Sequence, residues 1–143
     1  MPDTPNPVDS SSALNHARRR RDQLLATELW FKAADLQRLG YSIENPRIGR
    51  PRRRIPGLIG FWNGVEFLYP RCQFEGRSFA PRAQIASLLR LVADDPTGWR
   101  LGFWLYQRHR LLDAARPADT LLYDPDRVLA AARSDFQPND TRW

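Results

Sequence analysis

The stretch Gly57-Leu58-Ile59-Gly60-Phe61-Trp62-Asn63-Gly64-Val65-Glu66-Phe67-Leu68-Tyr69-Pro70 carries the clearest local geometry in the sequence. Two apolar runs rich in aromatic residues, 57–62 and 65–69, flank Asn63-Gly64. An Asn-Gly pair in that setting predicts a tight β-hairpin, because both central residues of such a turn need positive φ. Pro70 has no amide hydrogen to give and ends the second strand. The hairpin places a β component near the middle of the chain, and the flanking segments are read against it.

Upstream, Arg47, Arg50, Arg52, Arg53 and Arg54 crowd into one short bend. Before them, residues 27–40 read as a helix, with Leu29, Ala33, Leu36 and Leu39 on one stripe and Gly40 as its stop. Ser42 is placed to cap a short second helix, which Pro46 restricts. The composition turns helical from Ala13, with Arg18 to Arg21 on an exposed surface. Residues 1–12 offer almost nothing to bury and are expected to form a mobile tail.

Downstream of Cys72 the pattern reads as helical throughout. Pro81 is expected to open a helix carrying Ile85, Leu88, Leu89 and Val92 at i, i+3, i+4 and i+7. Asp94 to Gly98 breaks it, and Trp99, Phe103 and Tyr106 share a face of the next helix. A short helical turn follows near Pro117 to Leu122. Asp124-Pro125-Asp126 is a strong helix start, with a capping Asp, a Pro at the first position and an acid against the helix dipole. Val128, Leu129 and Ala132 lie on that last helix.

The 143 residues, 42% hydrophobic with five Trp and seven Phe, suffice for one compact domain or two small ones sharing a core. No apolar run approaches the ~20 residues of a membrane helix, and the N-terminus lacks the layout of a secretory signal. A single cysteine excludes an internal disulfide. The expected location is the cytoplasm. The net charge of +6 is uneven, with +5 in residues 1–71 and +1 in residues 72–143. Arg suits phosphate through its planar fork, and a basic patch in one half is the footprint of a nucleic-acid face.

A helix ending near Gly40, a short second helix, a basic bend and a hairpin together describe a helix-turn-helix with a wing. Arg47, Arg50, Arg52, Arg53, Arg54 and Ser42 are the candidate DNA-binding residues. The plainer alternative is a helix–hairpin unit with a solvated basic loop. Catalytic groupings are absent from the pattern. His16 and His109 are far apart without a patterned acid, Cys72 reads as a small buried apolar group, and Asp94-Asp95 reads as a loop. No cofactor or metal is expected, and no enzyme activity.

Phe103-Trp104-Leu105, Leu111-Leu112-Asp113-Ala114-Ala115-Arg116-Pro117-Ala118-Asp119, Leu121-Leu122 and Asp124-Pro125-Asp126-Arg127-Val128-Leu129-Ala130-Ala131-Ala132 together resemble the Xre/MbcA/ParS toxin-binding domain of antitoxins. That family typically shows a Trp-Leu helix, a Leu-(Asp/Gly)-Gly-x-x-Pro turn, a Leu-Leu pair and a Val-x-x-Ala-Ala helix. Tyr69-Pro70-Arg71-Cys72-Gln73-Phe74 also resembles a Tyr-Pro-x-x-Gln-Phe signature of related small proteins. The chain departs from the family at Ala114 and Ala115, where Gly is frequent, and in having a hairpin within its first half.

The resemblance implies a helical domain that binds a RES-type toxin, an NAD-consuming enzyme, and a DNA-binding half that represses its own operon. The candidate toxin-binding residues are Trp104, Arg116, Pro117, Arg133, Phe136 and the terminal Trp143. The expected architecture is α+β and mostly helical. It comprises a tail (1–12), a DNA-binding helix-turn-helix and hairpin region (13–76), a small helical toxin-binding bundle (77–133) and a C-terminal tail (134–143). The expected partners are the toxin and double-stranded DNA, with a homodimer or toxin–antitoxin hetero-oligomer as the assembly and no membrane. A stand-alone DNA-binding regulator of the excisionase-like kind is the main alternative, and a small RNA-binding or assembly subunit is a third class.

Overall fold

The computed structural model describes residues 7–42 and 53–137. It is an α+β structure. Strand β2 (Phe61–Trp62) runs antiparallel to β3 (Phe67–Pro70), with Phe61 opposite Leu68 and Trp62 opposite Phe67. Residues 63–66 join them, so the connection is longer than a two-residue turn. Of these four, only Gly64 has a positive φ, at 102°. The Asn63 side chain makes the turn instead, its Oδ1 accepting the backbone N–H groups of Val65 and Glu66 at 2.8 Å each. Asn can close such a turn through its side chain without positive φ of its own.

The expectation of one helix over residues 27–40 is corrected. Helix α1 (Pro7–Thr27) ends there, and Trp30–Lys32 forms strand β1 on the far side of β3, giving the order β1-β3-β2. Helix α2 (Ala33–Arg38) follows directly. Of the expected stripe, Ala33 and Leu36 are buried, whereas Leu29 and Leu39 are exposed. Trp30 and Phe31 suit a pleated surface, and the open edge of β3 supplies backbone partners that a helix would not use.

Both faces of the sheet are covered. Alternation along the strands puts Trp30, Leu68 and Phe61 on one face, and Phe31, Tyr69, Phe67 and Trp62 on the other. Phe61 enters the larger core, formed with the C-terminal helices. Tyr69 and Phe67 enter a smaller one with Ala33, Leu36, Ile55, Leu58 and Phe74. Two long-range side-chain bonds fasten residues 55–59 to this sheet. The Tyr69 hydroxyl accepts the Ile55 N–H at 3.0 Å. Gln73, fully buried, accepts the Ile59 N–H at 2.7 Å and donates to the Ile59 carbonyl at 2.8 Å and the Pro70 carbonyl at 3.2 Å.

The region after β3 is also corrected. A 3-10 turn (Arg71–Gln73) leads into β4 (Phe74–Glu75), which pairs with β5 (Ala80–Pro81). Pro81 therefore sits in a strand, and helix α3 starts later, at Ile85–Leu91. Ile85, Leu88 and Val92 are buried as the apolar spacing predicts. Helix α4 (Trp99–Leu105) is capped by Asp95, whose carboxylate accepts the Arg100 and Leu101 N–H groups at 3.3 and 3.0 Å. Gly98, at φ 82°, lies so close to β2 that a Cβ there would stand 2.0 Å from the Gly60 carbonyl oxygen. The same junction closes the outer edge of β2. The Trp62 N–H donates to the Thr97 carbonyl at 2.8 Å, and the Trp99 indole donates to the Trp62 carbonyl at 2.6 Å.

Helices α5 (Pro117–Thr120) and α6 (Pro125–Phe136) complete the bundle. Asp124 caps α6 through the Arg127 N–H at 3.3 Å, with Pro125 in the first turn. The core crosses the boundary expected at residues 76 and 77, since Ile59 and Phe61 pack in one cluster with Ile85, Leu101 and Val128. Two tail assignments also shift. Helix α1 starts at Pro7, and residues 134–136 belong to α6. Among the described residues no helix is long and apolar enough to cross a membrane.

Candidate functional site

The residues expected to meet a partner fall at three places. Arg47, Arg50, Arg52 and Trp143 lie outside the described residues, as does the short helix expected after Ser42. Ser42 and Arg53 are exposed. Arg54 is committed to the fold. Its Nη2 donates to the Asp95 carbonyl at 2.8 Å, and its guanidinium lies 5.8 Å from the centre of the Phe67 ring. A cation held against a ring and a carbonyl is less available to phosphate than a solvated one.

Trp104 and Phe136 come together where the end of α4 meets the last turn of α6. Their rings meet edge to face at 5.4 Å, and the Arg100 guanidinium sits 5.2 Å above Phe136. Asp135 organises the group, its Oδ2 taking the Trp104 indole N–H at 2.7 Å and approaching His109 Nε2 at 2.6 Å. His109 Nδ1 accepts the Leu111 N–H at 3.0 Å and so caps the 3-10 turn Arg110–Leu112. That bond assigns the ring proton to Nε2, which then donates to Asp135. Both ring nitrogens of His109 are thus engaged within the fold. Burial alone would raise the Asp135 carboxyl, but the hydrogen bonds from Trp104 and His109 and the nearby charge of Arg110 outweigh it and hold it below its ordinary value. A cleft of about 380 Å³ opens beside these groups, flanked by Arg108 and Arg110. Arg133 stands exposed one turn back along α6.

Arg116 and Pro117 line or support a different part of the molecule. Arg116 grips Asp119 through Nε and Nη2 at 2.9 and 3.0 Å and reaches Glu28 through Nη1, linking the end of α1 to α5. These carboxylates raise its pKa despite partial burial. Pro117 is buried at the first position of α5. Both are engaged within the fold.

The His109–Asp135 pair was not visible in the sequence, because its members are 26 positions apart and belong to no periodic pattern. The turn at residues 113–114 has an unusual backbone. Asp113 and Ala114 have φ of 57° and 66°, the left-handed conformation that glycine adopts most readily. Among the described residues, no group of three or more His, Cys, Asp or Glu side chains could hold a metal ion. No protein-family model, no curated protein and no solved structure matches this chain.

Proposed function

We propose that this chain is an antitoxin whose C-terminal region covers the active site of a RES-type toxin, and whose N-terminal region binds operator DNA to repress the pair's own operon. The observation that carries the reading is the aromatic–arginine surface of Trp104, Phe136 and Arg100, held in place by Asp135. Aromatic residues and Arg dominate binding energy at protein interfaces. Side chains ordered before docking lose less entropy on binding. The apolar positions Leu112, Pro117, Leu121, Val128 and Ala132 of the resembling motifs are buried, as a helical domain of that kind would require.

The test is co-expression with a RES-type toxin encoded beside this chain, scored by growth and by complex affinity. Trp104→Ala with Phe136→Ala should weaken the complex tenfold or more, about 1.4 kcal/mol or above. Full rescue and unchanged affinity in that double variant would remove this surface from the interface.

A second reading, a stand-alone DNA-binding regulator, is favoured by the order β1, α2, arginine-rich segment, β2 and β3. A strand, a helix and then a strand pair is part of the arrangement of a winged helix-turn-helix, whose second, recognition helix would have to come from residues 43–52, outside those described. Replacing Arg47, Arg50 and Arg52 by Ala should flatten the log–log salt dependence of duplex binding by ~0.9 per lost phosphate contact. Arg54→Ala should lower folding stability instead.

A further inference from the structure

A cavity of about 430 Å³ lies between the end of α1, the Arg71–Gln73 turn, and α5. Its volume falls within the range of small-molecule sites. Its charged groups divide into two sets. Arg116, Glu28 and Asp119 satisfy one another through the bonds described above. Arg71 and Arg82 do not share in that cluster. The Arg82 side chain donates its Nε to the Cys72 carbonyl at 3.0 Å, and its terminal nitrogens have no hydrogen-bond partner among the described residues. Arg71 is exposed and carries no ion pair among the described residues.

The floor is neutral. The Cys72 thiol and the Tyr106 hydroxyl both line the cavity, and burial pushes the thiol up to about 12 and the phenol upward as well. Neither group presents an anion. The remaining wall is apolar, with Phe74 and Phe79 inside and Leu29 and Leu122 at the mouth, exposed to 66% and 59%. Large apolar side chains left open beside a cavity favour a ligand that covers them.

We propose that this cavity binds a small amphiphilic carboxylate, its carboxylate on Arg71 and Arg82 and its branched or aromatic body against Phe74, Phe79 and Leu122. Two uncommitted guanidinium groups beside an apolar wall select that combination, because Arg pairs with a carboxylate through charge-assisted hydrogen bonds. A neutral floor adds dipoles without repelling the anion. The ligand would touch residues from both halves of the chain. The inference is independent of the antitoxin reading, as it uses neither the Trp104 surface nor the arginine-rich bend.

The experiment titrates the full chain with 4-methylpentanoate and phenylacetate, followed by NMR, with the matching primary amides as controls. The expected result is saturable shifts at Phe74, Phe79, Leu122 and Tyr106, with the acids binding at least tenfold more tightly than the amides, about 1.4 kcal/mol. Arg71→Gln and Arg82→Gln should each reduce that preference. Arg71→Gln guards against misfolding, since that exposed side chain has no hydrogen bond, ion pair or ring contact among the described residues, and its unperturbed spectrum would certify the comparison. Equal binding of acid and amide, shifts scattered away from the cavity, or no saturable binding would each overturn the proposal.

Discussion

Residues 55–74 and residues 109–136 solve the same problem, satisfying backbone groups that no helix or strand ladder pairs, in opposite ways. In the first region the partners are distant in sequence. Gln73 substitutes for a strand by bonding both the N–H and the carbonyl of Ile59, and the Tyr69 hydroxyl takes the Ile55 N–H. In the second region the partners are near neighbours. His109 caps through Leu111, Asp124 through Arg127, and the left-handed pair Asp113–Ala114 closes the turn between them. Long-range bonds hold the sheet to its surroundings, so losing one exposes groups that nothing local can satisfy. Local caps can be replaced by water or by fraying.

The sharpest contrast should come from Gln73→Leu. It keeps the apolar volume but orphans the Ile59 N–H and carbonyl, at ~1–3 kcal/mol for each group. Chemical denaturation should show a loss of about 2–6 kcal/mol. A loss below ~1 kcal/mol would mean that Ile59 finds other partners and that the contrast between the regions is unfounded.

Asp124→Ala removes one local cap and should cost ~1 kcal/mol in the same assay. A cost equal to that of Gln73→Leu would erase the distinction between distant and local bonding. The aromatic surface gives a pH-dependent version of the test. A carboxyl that titrates lower in the folded chain contributes stability that is present above its unfolded pKa and lost as pH falls through the folded value. Asp135 should therefore help stability at neutral pH and lose that help in acid, below the usual carboxylate range. Stability measured against pH should fall less steeply on the acid side in Asp135→Asn, with a small effect because the side chain is well exposed. An unchanged acid limb would detach Asp135 from its hydrogen bonds in solution.

The smallest expected change has the opposite sign. Ala114 is left-handed at φ 66°, which costs a residue with a Cβ ~1–2 kcal/mol. Ala114→Gly relieves that strain but adds unfolded-state entropy worth ~0.4–1 kcal/mol. The net result should be a rise in melting temperature corresponding to about 0.5 kcal/mol. A fall would show that the turn relaxes out of the left-handed region.

The same contrast explains what the sequence made legible. Helix α6, its Asp124 cap and the buried spacing of α3 could be read because each depends on residues a few positions apart. The strand identity of Trp30–Lys32 could not, because it depends on the edge of β3, some forty positions away. Local spacing at Leu29, Ala33, Leu36 and Leu39 suited a helix equally well. Pro81 carried an ordinary helix-start signal, and only its pairing with Phe74 makes it a strand residue. Trp104 and Phe136 were named individually, but their assembly around Asp135 and His109 is a product of the tertiary fold. Arg116 had the chemistry of a partner contact, and its internal carboxylates lie at Asp119, three positions away, and at Glu28, near the other end of the chain.

The junction at Gly98 bears on how the sheet behaves in a crowded solution. An edge strand with free N–H and carbonyl groups is a template for strands from other molecules. Here the Trp62 amide and carbonyl are both occupied from outside the sheet, by the Thr97 carbonyl and the Trp99 indole. The chain thus blocks strand recruitment at β2 with its own helix entrance, and Gly98 allows that entrance to come close enough to do so. A bulkier residue at position 98 would reopen the edge as well as strain the helix, so its consequence would extend to self-association through exchanged or added strands.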